Sequence, residues 1–411
     1  MDKLTHSEVI NLLLQLAVML VFARAFAEGA RKVNQPGVVG ELLAGIVLGP
    51  TVLGMVFPDL FGQLFVMHQG ANVALDGIIH IAVILLLFIA GLEVELHLVW
   101  SQGKSALNIS ILGLIIPFGL GFVFPYYFSG FFGLAEGDKL LFSLFMGTAM
   151  SITALPVVVR ILMDLDLFKS KMGMLIVAAS MVNDIIGWII FSVILSFMGK
   201  GSNLSLFQTI GVTLVFTLLM VTVVKFFINR ALPWINKKLA WPGGVLSISI
   251  VACFLAGAFT EWLGIHAIFG AFLMGVALGD SEHMSERAKE IVHQFINNIF
   301  APLFFVSIGL KINFFTNFEI WLTLAVLAIS FAGKIFGSGV GAIRGGFNLR
   351  ESLAVGFGMN ARGAMEIILG LIALENGLIN EKLFVALVIM AIVTSMSSGP
   401  LMKWSLKYKL K

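Results

Sequence analysis

The chain has 411 residues, of which 59% are hydrophobic and only 12% are charged, whereas soluble domains average about 45–50% apolar and about 25% charged residues. This composition excludes an ordinary soluble globular protein and indicates that lipid is the solvent for much of the surface. The net charge of +3 gives no reason to expect a nucleic-acid partner, and the single cysteine, Cys253, excludes an internal disulfide framework and a cysteine-based metal site.

About thirteen runs are long and apolar enough to cross a bilayer, because a membrane helix needs roughly 20 mainly apolar residues. In chain order these predicted spans cover 8–28, 36–57, 74–97, 105–128, 138–163, 171–198, 207–228, 242–262, 264–280, 290–312, 319–343, 351–375 and 381–405. The first span is not a good signal peptide, since its apolar core is long and no clear small-residue cleavage site follows it.

Lysine and arginine concentrate on one side of this arrangement. One set of alternate loops carries most of them, including Arg31, Arg160 and Lys238. The other set holds only Lys3, Lys139, Lys200, Lys311 and Lys382. Because cytoplasmic loops carry the excess of positive residues, we expect a multi-pass protein of the cell inner membrane, with the N-terminus outside and the C-terminus in the cytoplasm.

The fifth and twelfth spans carry features that interrupt a helix. In the fifth, Pro156 removes a backbone donor and disfavours helix at the residue before it, and Ser151 and Thr153 offer hydroxyls just upstream. In the twelfth, three glycines and Asn360 weaken the helix at the same depth. Irregular backbone is tolerated there only where protein or a water-filled cavity covers it. A kinked but continuous helix is the alternative for either span.

The two interruptions hold corresponding places in two six-span halves that the seventh span connects. An odd connector between two six-span units makes them inverted repeats, and interrupted spans at matching positions indicate the binding site of a secondary transporter. The sequence therefore predicts an all-α integral membrane protein of about 13 transmembrane helices, built from inverted six-helix repeats with two broken helices.

Asp184 lies near the middle of the sixth span, where a charged side chain costs at least about 2.5–3.5 kcal/mol on insertion scales. A carboxylate at that depth binds a bare cation when ionised and a proton when neutral, and it cannot easily hold both. We therefore expect Asp184 to bind a monovalent metal cation and the proton in turn. The alternative is a structural carboxylate paired with a buried base. Asn183 would either help to coordinate the cation or make an interhelical hydrogen bond.

Lys334 lies near the middle of the eleventh span. It accompanies a ladder of glycines at fourfold spacing, Gly333, Gly337, Gly341 and Gly345. The ladder predicts close approach of a neighbouring helix. Three roles are open for the lysine: a counter-charge to Asp184, a switchable ammonium, or a cation that compensates the carbonyl end of a broken helix.

Arg362 and Glu366 lie four residues apart in the twelfth span. On a continuous helix they would pair with each other. Alternatively, Glu366 compensates the positive helix ends at a break.

Several short motifs occur in order along essentially the whole chain. They are 36–41 (PGVVGE) leading to 48–50, 87–93, the break at 153–156, Asn183-Asp184, 304–310 and the helix of Lys334. Together they resemble the monovalent cation/proton antiporter superfamily, in the bacterial branch that contains sodium/proton exchangers and the membrane domains of potassium efflux systems. The resemblance implies exchange of a cation (Na+ first, with K+ or Li+ as alternatives) for H+ by alternating access of an elevator-like core.

The resemblance also implies roles for the residues singled out above. The broken segments would cross near mid-membrane, with Thr153 at the crossing and Asp184 as the cation and proton carboxylate. Ion and proton binding would involve Asp184, Asn183, Thr153 and Ser151. Charge compensation at the crossing would involve Lys334, Glu366, Arg362 and Asn360.

A division of the chain follows from the same resemblance. Residues 1–411 would form a single membrane transporter domain, with core ion-transport helices at about 105–198 and 319–405. Panel helices at about 8–97 and 207–312 would form a homodimer. Electrogenic members typically carry two aspartates where this chain has Asn183-Asp184, yet Lys334 is typical of those members, so the stoichiometry is open.

Other classes compete with exchange. A sodium-coupled solute symporter of related inverted-repeat fold would need a larger polar cavity than the few intramembrane Asn, Gln and Ser residues can line. A channel needs a repeated carbonyl filter or a charge ring, and an enzyme needs a cluster of reactive side chains at one depth. Neither is visible, so we expect no enzyme and no cofactor, although proton-independent uniport stays open.

A few polar residues lie near the ends of the spans. Asp76, His80 and His266 would tune the response to pH or be interfacial groups. Glu41, Glu93 and Glu95 are expected at entrances or interfaces.

Overall fold

A computed structural model describes residues 3–33, 35–95, 102–134, 138–198 and 206–406. Its longer helices are α1 His6–Lys32, α2 Gly37–Leu48, α3 Gln69–Leu92, α4 Gly103–Tyr127, α5 Lys139–Ser151, α6 Leu155–Asp164, α7 Lys171–Met198, α8 Leu206–Leu219, α9 Lys225–Lys238, α10 Gly243–Trp262, α11 Ala267–Gly279, α12 Glu286–Lys311, α13 Ile320–Arg344, α14 Leu349–Met359, α15 Ala364–Glu375 and α16 Glu381–Leu406. Short helical turns Leu53–Val56, Pro58–Phe61 and Gly62–Val66 follow α2, and Met220–Val224 joins α8 to α9.

The all-α membrane architecture is confirmed. Within the described ranges, eleven helical segments are long and apolar enough to cross a membrane, and three of them, Gly37–Val56, Lys139–Asp164 and Gln208–Ile235, each include more than one of the helices given above. The ninth predicted span is the shorter apolar helix α11, and the twelfth is divided into α14 and α15. A total of thirteen crossings and the inverted relation of the two halves stay predictions.

Both predicted interruptions are breaks rather than kinks. The first lies between α5, which ends at Ser151, and α6, where Pro156 occupies the first turn. A proline is tolerated there because the first-turn N–H groups have no helical partner. The second break runs over 360–363, between α14 and α15. The alternative of a kinked but continuous helix is therefore wrong for both the fifth and the twelfth predicted span.

The helices pack into two bundles. We call α4–α7 together with α13–α16 the core bundle, since α4 packs on α5, α7 and α13, and α14 packs on α13 and α16. We call α1–α3 together with α8–α12 the panel bundle, since α3 packs on α11 and α12, and α2 packs on α1 and α12. Between the bundles, α7 contacts α8 and α11, and the rings of Trp188 and Phe272 lie 5.9 Å apart.

The predicted glycine ladder of α13 lies directly against α4. A Cβ added at Gly337 would come within 2.5 Å of the Leu112 carbonyl oxygen, and one at Gly341 within 2.6 Å of the Asn108 carbonyl oxygen. Helices this close leave no room for any side chain at those positions. The prediction of close helix approach is confirmed.

We expect Gly337→Ala to lower the free energy of unfolding by about 1–3 kcal/mol, because overpacking a filled interface forces backbone shifts. Gly119→Ala on α4 is the matched control, since nothing lies within 4 Å of its added Cβ, and it should be neutral or stabilise by up to about 1 kcal/mol. Thermal unfolding of the purified variants measures both. Equal melting temperatures for the two variants would contradict the tight packing.

Candidate functional site

The two breaks meet in the interior of the core bundle. The Ala154 N–H donates to the Ala361 carbonyl oxygen at 2.9 Å, and the Thr153 hydroxyl donates to the Met359 carbonyl oxygen at 2.9 Å. Residues at both breaks are buried, so each break supplies partners for backbone groups that the other leaves without helical bonds. This contact is the crossing of the broken helices expected from the resemblance.

The carbonyl end of α5 binds Lys334. The ammonium donates to the Ser151 carbonyl oxygen, to the Thr153 hydroxyl at 2.7 Å and to the Gly113 carbonyl oxygen at 3.0 Å. The last carbonyls of a helix carry the negative end of its dipole and have no helical donor. Because Lys334 is fully buried, these three acceptors replace water. Of the three roles open for the lysine, the geometry matches compensation of a helix end.

The same helix end binds a second cation. Arg362 donates to the carbonyl oxygens of Ala149 at 2.5 Å and Met150 at 2.7 Å, and to Glu366 Oε1 at 2.8 Å. Glu366 lies in the first turn of α15, where a negative charge is favourable. Pairing of Arg362 with Glu366 was expected for a continuous helix; it occurs although Arg362 lies in the break.

The other predicted site residues are held by neighbours. The Ser151 hydroxyl donates to the Thr148 carbonyl oxygen at 2.8 Å, so its carbonyl group, and not its hydroxyl, contacts Lys334. Asn360 Oδ1 accepts from the Ser330 hydroxyl at 3.2 Å. The structure thus places Ser151 next to the lysine and Asn360 against α13.

Asn183 is bonded to α4 and to the lysine. With its carboxamide oriented by its neighbours, its nitrogen donates to the Ser110 carbonyl oxygen at 3.0 Å and its oxygen accepts from Lys334 Nζ at 3.2 Å. The Ser110 hydroxyl lies 2.8 Å from the same carboxamide. Asn183 therefore makes the interhelical hydrogen bond that was one of its two expected roles.

Asp184 differs from these neighbours. It is fully buried, and neither carboxylate oxygen has a hydrogen-bond partner among the described residues. The backbone N–H groups of Leu155, at the positive start of α6, and of Thr153, in the break before it, lie near Asp184, but they stay outside hydrogen-bond geometry. No ion pair joins it to Lys334, so the alternative of a structural carboxylate paired with a buried base does not match the geometry.

A cavity of about 670 Å³ lies between the two bundles. It reaches the crossing at Ala154 and Gly363. Its opposite end lies where α1, α6 and α16 present Arg31, Arg160 and Lys403, which belong to the loops predicted to be cytoplasmic. The crossing is therefore accessible from that side.

The polar residues expected near span ends lie in several places. Glu41 and Glu93 line the cavity, and Glu93 Oε1 lies 3.4 Å from His293 Nε2. Glu95 pairs with Lys289 at 3.6 Å.

The histidines expected near the outer ends bond within the panel bundle. His80 Nδ1 lies 2.8 Å from the Asp76 carbonyl oxygen. His266 precedes α11 and accepts from the Ile268 N–H at 3.5 Å. None of these contacts reaches the crossing.

Sequence reasoning missed Ser110, Ser330 and Ser395, although each binds a site residue. The Ser395 hydroxyl donates to the Arg362 carbonyl oxygen. Each serine is a small polar residue in an apolar run, which the sequence offers at many other positions as well. Only the tertiary structure distinguishes these three.

A model of the transmembrane sodium/hydrogen exchanger family matches residues 16–407. The chain belongs to that family. The chain is 31% identical to the Na(+)/H(+) antiporter NhaS4 of Synechocystis sp. over 95% of its own length and 96% of that protein. It is 30% identical to the Na(+)/H(+)-K(+) antiporter GerN of Bacillus cereus over 97% of each chain. The resemblance to the cation/proton antiporter superfamily is confirmed.

Plant relatives and a solved structure extend the comparison. The chain is 32% identical to Cation/H(+) antiporter 17 of Arabidopsis thaliana, and spans about half the length of that relative (48%). The sodium proton antiporter MjNhaP1 of Methanocaldococcus jannaschii shares the fold, with a TM-score of 0.65 and 18% identity over 98% of this chain and 99% of that one. These relatives are antiporters, so the solute-symporter alternative is not favoured.

We expect Lys334→Ala to destabilise the protein by at least about 2 kcal/mol, because each buried acceptor left without its donor costs about 1–3 kcal/mol. Lys382→Ala is the control, since its pair with Glu319 is exposed and worth at most about 1 kcal/mol. Thermal unfolding and proton flux are measured on both variants. A Lys334→Ala protein of unchanged stability that has lost exchange would assign the lysine to ion handling instead.

Proposed function

We propose that this exchanger is a secondary active antiporter in which a monovalent cation and H+ compete for the carboxylate of Asp184. The observation that carries the proposal is that Asp184 is fully buried at the crossing and has no partner on either oxygen among the described residues. An ionised carboxylate without a partner is strongly unfavourable in such surroundings. The group is therefore stable with a bound cation or with a proton, and each ligand excludes the other.

Thr153, Ser151 and Asn183 act with Asp184 by holding the neighbouring ammonium. All three contact Lys334, which keeps that cation on the carbonyl end of α5 and away from the carboxylate. Arg362 compensates the carbonyl end of α5 at the first break, whereas Glu366 lies in the first turn of α15 at the second break, with Asn360 at the end of α14. The carboxylate is then left to the transported ion.

Na+ is the first candidate for the cation, with K+ and Li+ as alternatives. Two relatives that match nearly the whole chain are named as a Na(+)/H(+) antiporter and a Na(+)/H(+)-K(+) antiporter. Carboxylate, carbonyl and water oxygens suit hard cations, and the cavity would give water a path to the crossing.

Alternating access would come from an elevator-like movement of the core bundle against the panel bundle. The cavity between the bundles supports this division, because sliding along that surface would expose the crossing on one side and then on the other. The panel bundle would form a homodimer. The protein would lie in the cell inner membrane, with its N-terminus outside and its C-terminus in the cytoplasm.

We further propose a stoichiometry of one proton per cation. Among the described residues, neither oxygen of the Asp184 carboxylate accepts a hydrogen bond. By contrast, Glu366 accepts a hydrogen bond from Arg362, and the Lys334 ammonium donates to several acceptors. One titrating group that exchanges one positive charge for another moves no net charge.

Asp184→Asn should reduce exchange to background while leaving the melting temperature nearly unchanged, since the amide takes up neither a proton nor a cation and no existing contact is lost. Proteoliposomes with an internal pH dye are pulsed with Na+, K+ or Li+. Glu319→Gln, a neutralised surface carboxylate, is the control and should exchange normally. Cation-driven pH change that persists in Asp184→Asn would remove Asp184 from the mechanism.

In the same vesicles, a clamped membrane potential should leave the exchange rate and its end point unchanged. An exchanger that moves one net charge per cycle would gain about 2.3 kcal/mol of driving force per 100 mV. A shift of the final pH gradient with the potential would therefore rule out one-for-one exchange.

A further inference from the structure

The two bundles are also joined at the end opposite the cavity. Lys311, the last residue of α12, places its ammonium 3.1 Å from Asp76 of α3 and 3.2 Å from Glu375, the last residue of α15. Helices α3 and α12 belong to the panel bundle, whereas α15 belongs to the core bundle. The pair of Lys311 with Glu375 therefore crosses the seam between bundles, and the pair with Asp76 does not.

Positions along α3 and α12 separate this junction from the cavity. Glu93, just beyond the end of α3, and His293 of α12 both line the cavity. At a rise of 1.5 Å per residue, Asp76 lies about 26 Å from Glu93, and Lys311 lies about 27 Å from His293. The bundles are thus open to water at one end of these helices and ion-paired at the other.

The strength of the junction suits a reversible contact. The side chains of Lys311 and Glu375 are 35% and 36% exposed, and an ion pair this exposed shifts an equilibrium by roughly two- to fivefold. A contact of that size favours one of two conformations without trapping the protein in it.

We propose that Lys311 and Glu375 form a latch, which holds the predicted outer end of the seam closed while the cavity is open and separates when the core bundle moves. The proposal rests on the alternating access proposed above. Its role is to set the ratio of the two conformations, and it binds no transported ion.

A neighbouring ion pair provides a matched control. Lys382 of α16 lies 3.3 Å from Glu319, which directly precedes α13, and both side chains are about half exposed, at 53% and 43%. Both helices belong to the core bundle, so this pair has the same chemistry but does not cross the seam. A second control is Asp76, whose pair shares the same lysine within the panel bundle.

Because the chain has a single cysteine, the latch can be tested by labelling one introduced thiol, without a transport assay. Cys253 is fully buried, so a Cys253→Ala protein carrying Val157→Cys places one accessible thiol in the wall of the cavity. A membrane-impermeant maleimide is applied to inside-out and right-side-out vesicles in separate experiments. The two labelling rates report how often the cavity wall faces each side.

Adding Glu375→Gln or Lys311→Gln should slow labelling from the predicted cytoplasmic side roughly two- to fivefold and speed labelling from the other side. Asp76→Asn should not slow labelling from the predicted cytoplasmic side, because Lys311 then pairs with Glu375 alone. Lys382→Gln should leave the labelling rates from both sides unchanged. Unfolding would not produce opposite changes on the two sides.

Either of two results would overturn the latch. One is that Glu375→Gln labels at the parent rates, and the other is that Lys382→Gln produces the same change. The labelling is repeated with each variant combined with Asp184→Asn, because labelling can be measured in a protein that does not exchange ions. Labelling rates therefore test the latch, and exchange rates separately test the proposed role of Asp184.

Discussion

The site depends on how the carbonyl end of α5 is neutralised inside the protein. Lys334 and Arg362 together bind three successive carbonyl oxygens of that end, at Ala149, Met150 and Ser151. Without them the negative helix end would lie beside the Asp184 carboxylate at the same depth. The Lys334 ammonium and the Arg362 guanidinium thus allow α5 to end in the interior of the protein. The Asp184 carboxylate is left next to the positive start of α6.

Much of this could be predicted from the sequence, because the strongest signals have large energies. Pro156, within one apolar run, predicts the break before α6. Asp184, a carboxylate within another apolar run, predicts a binding site. The partner of Lys334 could not be predicted, since a long flexible side chain reaches many acceptors and only helix packing decides among them. Ser110 could not be predicted either, because small polar residues occur at many positions in the apolar runs and only helix packing brings this one to Asn183. For Arg362 and Glu366, pairing on a continuous helix and compensation of a break by Glu366 were both open, and the two side chains pair across the end of a break.

The polar contacts of the site are not spread evenly over the molecule. Hydrogen bonds link α4, α5, α7, α13 and α14 around the crossing, and all of these helices lie in the core bundle. The panel bundle contributes none of the bonds described around the crossing. In the proposed alternating access, an ion bound at Asp184 would therefore keep its protein surroundings, and only the side from which water reaches it would change.

The glycine ladder of α13 has a consequence for the family's history. Lys334 lies between Gly333 and Gly337, and its ammonium reaches past α4 to the end of α5 because α4 and α13 almost touch. A bulkier residue in the ladder would widen that spacing and draw the ammonium away from Ser151. A lineage that replaced the lysine would lose this requirement for glycine. Small residues at these positions and a basic residue at position 334 should therefore be gained and lost together among homologous exchangers.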